Sequence, residues 1–337
     1  MKPPFFWQNT PSHPGLFAFL LTPIGNAYAY ATARRIARGP GYRAAVPVVC
    51  VGNLNIGGTG KTPAAIAMVE MLIRAGINVH LVSRGYGGSI AGPVRVQENT
   101  HTAAEVGDEP LLLAAFAPTW VSRDRAAGVR AAENGGADVV LLDDGFQNPS
   151  VAKDLSIIIV DAEKGFGNGR VIPAGPLREP VCVGLARADM VLSIGPPVAQ
   201  ESFARVWVKN IRCPHLTGQI TPLETGMDWK GLDVLAFAGI GHPEKFFATL
   251  RSLGANLIRC EALDDHQPLS EGLMKRLESD ANSLNAQLVT TEKDAVRLPA
   301  GFRPKVLTLP VRLQIDDRDE LYEALEKTGL TISSKTP

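Results

Sequence analysis

Short, largely apolar runs recur through the first two thirds of the chain, at residues 48–51, 78–83, 119–122, 138–142, 155–161 and 190–194. Such runs suit strands buried on both faces, as in a parallel sheet. Between them lie stretches of helical periodicity: 64–75, stopped by Gly76; 111–117; and 125–134, broken by Gly135 and Gly136. Strands alternating with helices predict a doubly wound, mainly parallel α/β sheet. A second series follows. Strand-like runs at 233–237, 256–259, 287–291 and 306–310 alternate with helical stretches at 244–253, 271–280 and 319–327. This predicts a second, smaller α/β unit. Two β-like pieces, 203–208 and 216–220, flank Cys213-Pro214 and read as a connecting hinge. The pattern divides the chain into 1–45, 46–202, a two-stranded hinge at 203–230, and 231–330.

The first strand-like run leads into Gly57-Gly58-Thr59-Gly60-Lys61-Thr62 and then a helix. Glycines let backbone N–H groups turn toward an anion, and the helix N-terminus adds partial positive charge. Lys61 can reach β- and γ-phosphates, and the Thr62 hydroxyl can hold Mg²⁺. This makes 46–202 a P-loop nucleotide-binding domain. The strict motif has glycine where this chain has Asn55. The run at 138–142 ends in Asp143-Asp144, and an acid at such a strand end is the usual Mg²⁺ partner of a phosphate loop. Gly58–Thr62, Arg84–Gly87, Asp143 and Asp161 all fall at carboxyl ends of predicted strands, where open α/β sheets bind ligands. A glycine- and proline-rich segment, 165–180, carries Arg170, Arg178 and Glu179, groups suited to clamping phosphate or sugar hydroxyls.

The N-terminus breaks the globular pattern. Residues 3–33 contain no Asp, Glu, Lys or Arg. The apolar core of this stretch, 15–24, is too short for a bilayer, which needs about 20 residues. Thr22-Pro23 reads as an N-cap and first helical residue, and Gly39-Pro40 as the stop. Phe17, Leu20, Leu21, Ile24, Tyr28 and Ala31 recur at helical spacing, and Arg34, Arg35, Arg38 and Arg43 follow. Three readings compete: an arm packed on the body, a secretory leader cleaved near Ala27-Tyr28-Ala29, and an interfacial anchor. A leader would export a nucleotide-binding loop away from its nucleotide. The favoured reading is an anchor, with aromatic and aliphatic side chains in the headgroup boundary and arginines on anionic lipid.

Composition narrows the function classes. The 337 residues carry 34 Lys+Arg against 34 Asp+Glu, so no global field points to nucleic acid. Four scattered cysteines form no C-x-x-C pair, which argues against zinc or a disulfide framework and for a reducing compartment. The six histidines show no metal-ligand spacing.

Several motifs in order carry a closer likeness. The phosphate loop through Pro63, Ser83-Arg-Gly-Tyr-Gly87, Val106-Gly-Asp-Glu-Pro110, Asp143-Asp-Gly-Phe-Gln147, Pro176-Leu-Arg-Glu-Pro180, Asp265-His266 and Thr290-Thr-Glu-Lys-Asp294 resemble those of the tetraacyldisaccharide 4′-kinases, the lipid A 4′-kinases of Gram-negative bacteria. The likeness covers about residues 46–298 and extends to the hydrophobic N-terminus. Asn55 is typical of that family. Asn148 departs from it, standing where the family usually has His.

The resemblance implies transfer of the ATP γ-phosphoryl to the 4′-hydroxyl of a tetraacylated glucosamine disaccharide 1-phosphate, at the cytoplasmic face of the inner membrane. It implies ATP bound by Asn55, Gly57, Gly58, Thr59, Gly60, Lys61 and Thr62. Mg²⁺ would lie on Thr62 and Asp143 or Asp144. Asp108 would be the base, paired with His266, while Lys61 stabilises the moving phosphoryl group. Tyr86, Glu109, Gln147, Asn148, Arg178 and Glu179 become candidate substrate contacts. From the residues alone the base stays open, since Asp108 also reads as an N-cap. A rival from another class is a membrane-associated P-loop ATPase switch of the partitioning or septum-site type. Such switches carry a lysine just before the paired glycines, where this chain has Ile56.

Overall fold

The computed structural model describes residues 3–39, 41–265 and 267–332. In chain order the strands are β1 (Val48–Gly52), β2 (Val79–Ser83), β3 (Val94–Arg95), β4 (Thr119–Val121), β5 (Val139–Asp143), β6 (Leu155–Asp161) and β7 (Met190–Ile194), then β8 (His215–Pro222), β9 (Asp233–Ala238), β10 (Asn256–Ala262), β11 (Gln287–Thr291), β12 (Val306–Leu309) and β13 (Val311–Ile315). Among the described residues they form a nine-stranded sheet, ordered β13-β8-β7-β6-β1-β5-β2-β4-β3, and a four-stranded sheet, ordered β10-β9-β11-β12. Only β3 and β13 run antiparallel to their neighbours. The largely apolar runs include the central parallel strands: β1, β2, β5, β6 and β7 are buried at every position.

The large sheet's core is packed on one face by the helix Lys61–Arg74, here α2. It buries Ile66, Met68, Val69, Met71 and Leu72 against Val49, Leu141 and Ile159. Two departures from the sequence pattern matter. The expected strand at 203–208 is instead the end of the helix Pro197–Trp207, continued by a 3-10 turn at Val208–Asn210. Ala199, Phe203 and Trp207 recur every four residues and bury one helical face. Residues 311–315, which the pattern left unassigned, form β13 and rejoin the large sheet beside β8. Here Leu313 and Ile315 are buried while Gln314 is exposed, the alternation of a half-buried strand. The closing helix Asp319–Glu326 also packs on α2's core through Leu321 and Leu325.

The N-terminal helix, α1 (Leu16–Ile36), starts well before the predicted Thr22-Pro23 cap. Pro23 lies inside it. The Thr22 hydroxyl donates to the Ala18 carbonyl at 2.8 Å and accepts from the Arg170 guanidinium at 2.8 Å. Small residues face the body: Ala18, Gly25 and Thr32 are buried. The large ones face out, with Leu16, Phe17, Phe19, Leu20, Ile24 and Tyr30 each more than half exposed. No helix among the described residues is long and apolar enough to cross a membrane.

Candidate active site

The phosphate loop runs from the end of β1 to the start of α2. Gly60 closes it as the helix N-cap in the left-handed region, with φ 93°, where a side chain would be strained and its Cβ would lie 2.8 Å from Ile194. A Cβ at Gly57 or Gly58 would meet nothing within 4 Å, so that rim of the loop is open space. The loop is braced from beneath. Asn53, fully buried, donates to the Thr59 hydroxyl at 3.1 Å and to the Gly57 carbonyl at 3.4 Å. Asn55, predicted among the ATP contacts, turns its amide away to donate to the Gly165 carbonyl at 3.0 Å. Lys61 and Thr62 open the first turn of α2, where backbone N–H groups have no helical partner.

Two adjacent acids face this loop in different ways. Asp143 is level with Val51 of β1 and buried, and Ser83 at the end of β2 donates to its Oδ2 at 3.0 Å. Its Oδ1 has no hydrogen-bond partner among the described residues. Burial, helped by the negative charge of Glu109, pushes the Asp143 carboxyl up to about 7, although Lys61 opposes this. Asp144 takes φ 54°, a left-handed conformation uncommon outside glycine but tolerated by Asp. That turn aims its carboxylate at cations. Lys61 Nζ is 3.8 Å from Oδ2, and Arg178 binds both oxygens, at 2.7 and 3.0 Å. Burial would raise the Asp144 carboxyl, but Lys61 and Arg178 outweigh it and hold it below its ordinary value.

Arg178 reaches Asp144 because segment 165–180 is zipped onto the phosphate loop. Ile56 N–H donates to the Pro176 carbonyl and Arg178 N–H to the Leu54 carbonyl, each at 2.8 Å. The other side of the same segment holds the N-terminus. Trp7 Nε1 donates to the Pro173 carbonyl at 3.0 Å, Asn168 donates to the Phe6 carbonyl at 3.1 Å, and Arg170 meets Thr22 of α1. One loop therefore touches both the exposed apolar element and the phosphate loop.

The remaining acids lie on the β2 side. The turn after β2 packs tightly on the segment leading to the helix Asp108–Ala114. A Cβ at Gly85 would come within 2.9 Å of the Val106 carbonyl, and one at Gly107 within 2.7 Å of the Tyr86 carbonyl. Gly107, not Asp108, is the N-cap, so Asp108 is the first helical residue and its Oδ1 accepts from Glu109 N–H at 3.0 Å. Lys293 arrives from the other sheet. Its Nζ is 3.2 Å from Glu109 Oε1 and 3.9 Å from Asp108 Oδ2. His266, the expected partner of Asp108, lies outside the described residues.

Other predicted contacts are placed differently. Glu179, 1% exposed, pairs with Arg187 at 2.5 Å and accepts from Gln147 at 3.0 Å; Gln147 also donates to the Asn53 carbonyl at 2.9 Å. Both side chains are buried and brace the loop, and Gln147 also accepts from Arg178 at 3.4 Å. Asn148 accepts from Ser150 N–H at 2.8 Å, capping its own turn. Tyr86 is 73% exposed at the rim. Lys293 is the residue that sequence reasoning left without a role, although it sits in a quoted motif.

Comparison with known proteins bears on the chain as a whole. Residues 17–329 match the family described as tetraacyldisaccharide-1-P 4′-kinase. A tetraacyldisaccharide 4′-kinase of Dinoroseobacter shibae is 61% identical over 327 residues, 97% of each chain. One of Rhodospirillum centenum is 50% identical over 328 residues, 96% of each. The crystal structure of the "apo" form of LpxK from Aquifex aeolicus in complex with ATP superposes with a TM-score of 0.73 at 24% identity, covering 93% of this chain and 99% of that one, which establishes a shared fold. On these matches, which run almost from end to end, the chain belongs to the tetraacyldisaccharide-1-P 4′-kinase family.

Proposed function

We infer that this chain is an ATP-dependent kinase of lipid A (lipopolysaccharide) biosynthesis, moving the γ-phosphoryl of ATP to the 4′-hydroxyl of a tetraacylated glucosamine disaccharide 1-phosphate. Family membership over residues 17–329 carries the reading. The convergence of Lys61, Asp144 and Arg178 at the open rim of the phosphate loop supports it. ATP as donor is supported by that loop, and by the ATP complex of the Aquifex protein.

Phosphoryl transfer is largely positioning and charge stabilisation. The loop amides and Lys61 bind and orient the β- and γ-phosphates. Arg178, steered by Asp144, is poised to add a second cation as the phosphoryl group moves. Asp108 accepts the proton of the 4′-hydroxyl while that oxygen bonds to the γ-phosphorus and ADP leaves with the bridging electron pair. Tyr86 and Glu109, at the rim, are the remaining candidate acceptor contacts. Gln147 and Glu179 serve as supports.

Mg²⁺ fits the donor set. The unpartnered Asp143 Oδ1 and the Thr62 hydroxyl are hard oxygen donors beside the phosphate site. No group of three or more His, Cys, Asp or Glu among the described residues forms a metal site by itself. That suits an ion held by one or two protein oxygens, with phosphates and water completing its shell. When bound it neutralises phosphate charge. Asp144, engaged by Arg178 and Lys61, is the weaker ligand candidate.

The outward apolar face of α1 supports a membrane-surface location on the side where ATP is found. The acceptor's acyl chains can then stay in lipid while its sugar enters the cleft. The experiment uses ATP labelled in the γ-phosphate with tetraacyldisaccharide 1-phosphate in mixed micelles. Label in the lipid, lost in Lys61→Ala, is expected. ATP hydrolysis without lipid labelling would overturn the reading and restore the ATPase switch, which family membership and Ile56 disfavour.

A further inference from the structure

The kinase chemistry above makes no use of the Thr291-Glu-Lys-Asp294 motif. Its geometry gives it a purpose. Three of its four side chains are tied down by partners other than Asp108 and Glu109. Asp294 is fully buried: its Oδ2 accepts from Gly239 N–H at 3.0 Å and from the Thr291 hydroxyl at 2.8 Å, and its Oδ1 meets Arg297. Thr291 caps the short helix Glu292–Ala295, accepting from Asp294 N–H at 3.2 Å. Glu292 accepts from Arg312 at 3.0 and 3.1 Å and from Val311 N–H at 3.1 Å. Arg312 in turn binds Glu70 of α2 at 3.0 Å. The platform is thus fixed to both sheets. The remaining side chain, Lys293, reaches across to Glu109 and Asp108.

The consequence is electrostatic. Asp108 and Glu109 are adjacent acids in one helical turn, and Asp108 is only 5% exposed. Two carboxylates this close repel, and burial adds a penalty for each charge. Lys293 is the cation that the described structure sets against both. The mutual field is strong enough that, although burial opposes it, the carboxylates of Glu109, Asp108 and Asp265 hold the Lys293 ammonium above its ordinary value.

We propose that Lys293 is a positioning residue for phosphoryl transfer: reaching from the second sheet's side, it holds the Asp108–Glu109 pair as oriented carboxylates, so that Asp108 is aimed to take the acceptor proton. Lys293 acts through Asp108 and rests on the reading of Asp108 as base. The charge matters more than the bulk, because Lys293 meets both acids through its Nζ.

The test is a double-mutant cycle on the full chain in mixed micelles, with kcat and KM measured for ATP and for tetraacyldisaccharide 1-phosphate. Lys293→Met keeps length and removes charge. It is expected to lower kcat by about 10²-fold, within the range of a general-base contribution. KM for ATP should stay within about twofold, since the phosphate loop is untouched. Lys293→Arg should restore most of the rate. In an Asp108→Asn background, Lys293→Met should change kcat by less than about twofold, because residues acting as a unit are not additive. Near-parental kcat in Lys293→Met overturns the proposal. So does a full additive loss in the Asp108→Asn background, or a loss that tracks melting temperature and is not relieved by Arg. If Asp108→Asn itself keeps the parental rate, the base reading has failed. If Asp108→Asn is inactive while Lys293→Met is not, only the role of Lys293 has failed.

Discussion

Helices α1 and α2 each follow a glycine N-cap, and both are rich in apolar residues. They are packed inside out with respect to each other. In α2 the large side chains, Ile66, Met68 and Leu72 among them, are buried in the sheet's core. In α1 small residues face the protein, and Phe17, Leu20 and Ile24 face outward, 57–61% exposed. Periodicity reports the spacing of apolar positions but not the direction in which they point. What separates the two is the face opposite. In α2 that face has Glu70, paired with Arg312, and the exposed Arg74, whereas from 16 to 33 α1 has no charge at all. A helix apolar on its outer face needs a non-aqueous neighbour.

The largest expected difference between the two helices is chemical. Lys61→Ala at the head of α2 should lower turnover by about 10²–10³-fold, the scale of removing one preorganised charge-stabilising donor. It should leave flotation with anionic vesicles unchanged. Replacing Phe17, Leu20 and Ile24 together by Ser should do the reverse: vesicle flotation lost, soluble fold retained. If the triple variant still floats, the outward face of α1 is not the contact.

Next in size is packing. Met68→Ala in α2 should cost about 2–5 kcal/mol in denaturant unfolding, because it opens a cavity in a close-packed core. Leu20→Ala in α1 should cost less than about 0.5 kcal/mol in the same assay without lipid, as for a surface change. Equal costs would show that α1 is an ordinary core helix.

The same physics decides what could be read from sequence. Central parallel strands were legible because they are largely apolar, Asp143 because it ends such a run and Lys61 because it closes the glycine loop that follows one. The end of the helix Pro197–Trp207 was misread because Phe203 and Val206 look β-prone locally; only the four-residue recurrence with Ala199 and Trp207 gives it away. The start of α1 was misplaced because Pro23 usually opens a helix, whereas here Thr22 and Arg170 occupy the groups around the break. Glu179 sits in a motif beside Arg178, yet its inward orientation goes with Arg187 and Gln147, which no spacing announces. Lys293 is harder still, because its partners are remote in sequence.

A pH experiment separates burial of charge from burial of apolar groups on the α2 side. The Asp143 carboxyl, raised by burial to about 7, binds a proton in the folded protein that the unfolded chain has already released. Between about pH 4 and 7 the folded state therefore holds more protons, and stability declines as pH rises through that window. In magnesium-free protein, Asp143→Asn removes this penalty. The variant should exceed the parent in melting temperature at pH 8, with the gain shrinking toward pH 4. A gain that grows on acidification would show that the Asp143 carboxyl is not raised.

The smallest effect sharpens the α1 side. Arg34, Arg35 and Arg38 are exposed at the carboxyl end of α1, where the helix dipole favours cations. If the apolar face lies in a headgroup boundary, these arginines lie at the depth of lipid phosphates. Each Arg→Gln change should then weaken binding to anionic vesicles by about fivefold, corresponding to about 1 kcal/mol per charge. Binding to zwitterionic vesicles should not change, and the anionic effect should fade as salt shortens the screening length. Equal losses on both vesicle types would move the arginines off the lipid surface and leave the aromatic and aliphatic side chains as the whole of the contact.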